Sequence, residues 1–174
     1  EISTCELCSL HQTRTQTVFG VGDPNADWLF IGEAPGKDED AQGEPFVGRA
    51  GRLLNEMIFS IDLSREKIFI ANILKCRPPN NRDPKASEVD QCFSYLEQQV
   101  QFIEPKIIIA VGKVAAQNLL GTDQTMSQLR GRVHYFGAKK IPLVVFYHPA
   151  YLLRSPSQKP KAWQDLILAK QMIS

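Results

Sequence analysis

The sequence predicts an α/β sandwich around a parallel sheet, in a single domain spanning residues 1–174. Three observations carry this. Four short runs, rich in Ile, Val and Phe and apolar on both faces, read as buried parallel strands. Stretches of helical spacing lie between them, the alternation that accompanies parallel sheets. Hydrophobic residues make up 43% and charged residues 22% of the 174. That composition excludes disordered, collagen-like and low-complexity classes.

The strands are expected at Trp28–Gly32, 68–74, 107–112 and 143–147. The first ends in Gly, the second contains Asn72, the third ends in Gly112-Lys113, and the fourth runs into His148-Pro149. A helix over 50–61 aligns Leu53, Leu54, Met57, Ile58 and Ile61 on one face. A second opens at an Asp83-Pro84 cap and carries Val89, Cys92, Leu96, Val100 and Ile103. A third covers Lys113–Leu120 and stops at Gly121, and a fourth covers 161–173. Ligands of such folds bind beyond the carboxyl ends of the strands. Glu33, Asn72 and His148 all fall there.

The net charge of +1 conceals an asymmetry. Residues 126–174 hold eight Lys/Arg against one acid, so the last third is +7 and the remainder −6. A polyanionic partner suits that segment. No apolar run approaches the ~20 residues of a membrane span, and no signal peptide is visible. The expectation is a cytoplasmic monomer without membrane association.

Four cysteines in a chain this long do not make a secreted disulfide framework. Cys5-x-x-Cys8 is the spacing with which two thiolates share one metal centre, and Cys76 and Cys92 would complete a four-thiolate set. The second pair is fifteen residues apart, which is unlike the two close knuckles of a zinc ribbon.

The turn after the first strand, GEAPGKDED, is neither a P-loop nor a GxGxxG fingerprint. Phe46 follows on a Gly- and Pro-rich loop, where an aromatic either packs into the core or forms a flat platform for a planar ligand. Asn72 sits in an apolar strand. A buried amide needs partners, either a neighbouring loop or a ligand offering a donor and an acceptor side by side. Pro149 biases His148 to an extended backbone.

Taken in order, CELCSL from Cys5, GEAPGKDED from Gly32, EPFVGRAGRLL from Glu44, NILKCRPPNNRDP from Asn72, Cys92, and HPAYLLR from His148 resemble one family. It is the iron–sulfur uracil-DNA glycosylases of bacteria and archaea, the class called family 4. The resemblance implies a three-layer α/β/α sandwich with a central four-stranded parallel sheet. It implies a [4Fe–4S] cluster on Cys5, Cys8, Cys76 and Cys92. It implies a uracil pocket from Glu33, Ala34, Pro35, Phe46, Asn72 and His148, with Glu39 near the C5 edge of the base. More familiar uracil glycosylases carry an Asp where this chain has Ala34, so any catalytic carboxylate must be Glu33.

The implied reaction is hydrolysis of the N1–C1′ bond of deoxyuridine in single- or double-stranded DNA, a base-excision-repair step that releases uracil and leaves an abasic site. Glu33 and His148 are the expected catalytic residues. His148 would donate to uracil O2, Phe46 would stack on the base, and Asn72, held in one amide orientation by its neighbours, would read O4 and N3–H. Leu152 or Leu153 would wedge into the duplex, with Arg154, Lys159 and Lys161 on phosphates. The alternatives are a catalytically inactive DNA-binding module and a nucleotide-processing enzyme on a similar fold.

Overall fold

Six strands form one mixed sheet in the computed structural model, which describes residues 1–174. The strands are β1 (Val21–Gly22), β2 (Trp28–Gly32), β3 (Phe69–Asn72), β4 (Ile107–Val111), β5 (Val133–Phe136) and β6 (Ile141–Phe146), in the order β1-β3-β2-β4-β6-β5. The expected four strands are its centre, and β3, β2, β4 and β6 run parallel. A four-stranded parallel sheet is nevertheless not the whole sheet. β1 and β5 extend it at both edges, each antiparallel to its neighbour. Neither has a continuous apolar run. β1 is two residues beside Gly20, and β5 is only partly buried because it covers an edge.

The helices are α1 (Lys37–Gln42), α2 (Arg49–Phe59), α3 (Ala86–Ile103), α4 (Lys113–Leu120), α5 (Met126–Leu129), α6 (Pro149–Arg154) and α7 (Lys159–Met172). Alternate strand residues divide the core in two, as the period-two pleat requires. Leu29, Ile31, Ile108, Ala110 and Val145 meet α3 and α4 on one face. Phe30, Ile70, Ile109, Val144 and Phe146 meet α2, α6 and α7 on the other.

The start of α3 differs from the expected Asp83-Pro84 cap. Lys85 is the N-cap, and its N–H donates to the Glu88 carboxylate at 2.8 Å. Arg82 grips the same carboxylate with two nitrogens, at 2.7 and 2.9 Å. This keeps residues 78–85 outside the helix and free to line the mouth of the sheet.

β2 leads through α2 to β3 on one side, and β3 leads through α3 to β4 on the other. The connections leaving β2 and β4 thus run in opposite directions along the sheet, and a crevice opens at the carboxyl ends between these two strands.

Candidate active site

A cleft of about 620 Å³ occupies that crevice. Glu33, Ala34, Pro35, Glu39, Phe46, Asn72, His148 and Arg154 all line it. The structure therefore brings the expected pocket residues together from three strand ends, α1 and the loop that follows it.

His148 is the N-cap of α6, with an extended backbone as Pro149 requires. Its Nδ1 accepts the Ala150 N–H at 3.0 Å. An accepting Nδ1 places the ring proton on Nε2. Burial and the positive charge of Arg154, opposed by Glu39, push the imidazole pKa down to about 4. His148 is thus a neutral donor at physiological pH. Gly112 lets the ring sit close, since its φ is +91° and a Cβ there would come within 3.0 Å of the His148 Cβ. Behind the loop, Arg130 bridges buried Asp165 at 2.9 Å and lies over the Tyr147 ring, which packs on Tyr151.

Phe46 is 8% exposed, and its ring lies 5.6 Å from that of His148. Its φ is +53°, a left-handed conformation that costs a bulky residue about 1–3 kcal/mol. Asn72 ends β3 opposite Gly32. A Cβ at Gly32 would strike the Asn72 Oδ1 at 2.6 Å and the Phe46 ring at 2.8 Å. Only glycine lets these two groups meet.

The Asn72 side-chain amide makes no hydrogen bond within the protein. The expected neighbour that fixes its orientation is not there, and the amide is left to the cleft. The support goes instead to its backbone. Lys75, 1% exposed, donates from Nζ to the Asn72 carbonyl at 2.9 Å and to Gln99 Oε1. Burial pushes the Lys75 ammonium down to about 7.

Glu33 follows β2, half-buried, and burial plus the charge of Asp83 raise its carboxyl to about 7. Glu39 lines the cleft, but its oxygens are engaged by backbone. Oε1 accepts from Gly36 (3.1 Å), and Oε2 accepts from Val47 (2.9 Å) and Gly48 (3.2 Å). Its geometry is that of a loop anchor rather than a reader of the base edge.

Of the expected DNA contacts, Arg154, Lys159 and Lys161 are exposed at α6 and the start of α7. Leu152 is 0% exposed in the core beside α7, so it packs the fold and cannot reach DNA. Leu153 is half-buried.

Sequence reasoning missed Asn81, Arg82 and Asp83, which line the cleft from the segment before α3. Asn80 and Asn81 have φ of +56° and +55°. The PPNN string carried the signal, because Asn tolerates that conformation and Pro prevents a helix.

The four cysteines line one small, mostly apolar cavity with Leu10 and Tyr95. Arg14 donates to Cys76 Sγ at 3.3 Å, and the Lys75 N–H donates to Cys92 Sγ at 3.4 Å. Burial pushes the Cys92 thiol up to about 11, and Cys76 also upward. No three of the four converge on a single-ion position.

The Uracil DNA glycosylase superfamily model matches residues 19–168. The type-4 uracil-DNA glycosylase of Archaeoglobus fulgidus is 47% identical over 95% of this chain and 86% of that protein. The type-4 uracil-DNA glycosylase of Sulfurisphaera tokodaii is 43% identical over 95% and 78%. That of Saccharolobus solfataricus is 39% identical over 100% and 84%. A match of this extent, on a cleft that gathers Glu33, Phe46, Asn72 and His148, shows that the chain belongs to the uracil-DNA glycosylase superfamily, in its type-4 branch.

Proposed function

We propose that this cleft removes uracil from DNA with His148 as the donor to the leaving base and Glu33 as the carboxylate facing the sugar. Uracil excision in DNA repair is the activity of the type-4 branch, and this chain is a uracil-DNA glycosylase. The nucleotide must leave the stack to enter the cleft. Phe46 offers its ring to the base, and Asn72 presents its free amide to O4 and N3–H. Breaking the N1–C1′ bond puts negative charge on O2 and positive charge on the sugar. The His148 Nε2–H meets the first, and donors aimed at developing charge are the largest catalytic contribution in such sites. Ionised Glu33 meets the second, orients the water and takes its proton as the hydroxyl adds to C1′ and uracil departs as the N1 anion with the bond's electrons. The observation that carries this reading is the Ala150 N–H on His148 Nδ1, which fixes the reactive tautomer.

Leu153 is the remaining wedge candidate, and Arg154, Lys159 and Lys161 would hold phosphates beside it. One chain completes the cleft, which supports action as a monomer. No helix is long and apolar enough to cross a membrane.

Cys5, Cys8, Cys76 and Cys92 would hold a [4Fe–4S] cluster. They surround an apolar cavity with N–H groups on two of the sulfurs, which suits a cluster held by four thiolates. Bound there, it would tie the N-terminal segment to the segment after β3 and to α3.

The test is incubation with a labelled uracil-containing oligonucleotide, followed by alkali. Strand cleavage at the uracil position is expected. Release from free dUMP but not from the oligonucleotide would assign the cleft to nucleotide chemistry instead.

A further inference from the structure

We propose that Arg65, which lies outside the cleft, is the positioning residue that sets Phe46 for uracil capture. This rests on the reading that Phe46 stacks on the base.

Arg65 sits in the turn before β3, half-buried. Its guanidinium forms no salt bridge. It donates instead to three neutral acceptors: the Pro45 carbonyl from Nη2 (2.9 Å), and the Phe46 carbonyl and Asn55 Oδ1 from Nη1 (both 3.2 Å). Two of these carbonyls belong to the peptide units flanking the left-handed Phe46. On the far side of the same residue, Glu39 accepts the Val47 and Gly48 N–H groups. The turn is therefore gripped by its carbonyls from one side and its N–H groups from the other. Gly51 completes the clamp, since a Cβ there would lie 1.8 Å from the Phe46 carbonyl oxygen.

A left-handed phenylalanine persists only where its surroundings over-determine it. Here the consequence is functional, because the ring touches Gly32 and faces His148. Relaxation of φ at Phe46 would swing the ring out of the place where the base lies. A planar fork serves three acceptors at fixed angles, and a lysine ammonium cannot match that arrangement.

The test is a double-mutant cycle read by inhibition with free uracil, a probe that needs no DNA contact. Phe46→Ala should raise the uracil inhibition constant by on the order of tenfold or more, as loss of one stacked base implies. Arg65→Lys should raise it roughly tenfold, with KM rising in parallel and kcat within about threefold, the pattern of lost uniform binding. In the Phe46→Ala background, Arg65→Lys should change it less than about twofold. A full Arg65→Lys effect in that background overturns the clamp, as does an unchanged constant in folded Arg65→Lys protein. An unchanged constant in Phe46→Ala overturns the stacking reading instead. Should Arg65→Lys not fold, Asn55→Ala removes one acceptor of the same guanidinium. It must then show a smaller rise that vanishes with Phe46→Ala, and an additive rise overturns the clamp equally.

Discussion

Two titrating groups line the same cleft, with pKa values displaced in opposite directions. His148 is pushed down to about 4 and Glu33 up to about 7. Pairs separated in this way divide acid and base roles. With its pKa near 4, His148 is neutral at physiological pH. In the proposed mechanism Glu33 acts as the anion, so its contribution should grow as pH rises through about 7 and be lost below it. The single-turnover excision rate should therefore climb through that range and level off above it. In Glu33→Gln the climb should disappear and the rate should stay low and flat. A wild-type limb surviving in Glu33→Gln would assign the titration to another group.

At the scale of elements, the four central strands were legible because each is a run apolar on both faces. Their carboxyl ends point to Glu33, Asn72 and His148 from the sequence alone. What escaped has local physical causes. β1 is too short for a pattern, and β5 covers an edge and lacks a continuous apolar run. The segment 78–85 carries its meaning in backbone angles and in the Arg82–Glu88 pair, which depends on α3. Glu39 read as a ligand contact because spacing does not tell that backbone N–H groups claim both its oxygens. In α6, spacing alone could not separate Leu152 from Leu153, and burial does. Leu153→Ala should slow excision from double-stranded DNA far more than from single-stranded DNA, with melting temperature little changed. Leu152→Ala should instead cost about 2–5 kcal/mol of stability as a core cavity and slow both substrates alike. Equal behaviour of the two variants would remove the wedge from α6.

Across the whole molecule, the cysteine cavity and the cleft share a short piece of chain. Lys75 holds the Asn72 carbonyl with its side chain and donates to Cys92 with its backbone. The segment between Cys76 and Cys92 also carries Asn81 and Asp83 into the cleft wall. The purified protein should be yellow-brown, with iron and acid-labile sulfide near four each per chain, about what a cubane needs. A colourless, active preparation with stoichiometric zinc would contradict this. The account as a whole turns on the Nε2–H of His148, and the most direct measurement is single-turnover excision from a uracil-containing oligonucleotide by His148→Ala beside the wild type, with DNA affinity measured on the same samples. The expected result is a rate lower by about 10²–10³, the usual loss for one transition-state donor, at nearly unchanged affinity. A rate within a few-fold of wild type, or a loss explained entirely by weaker binding, would contradict it.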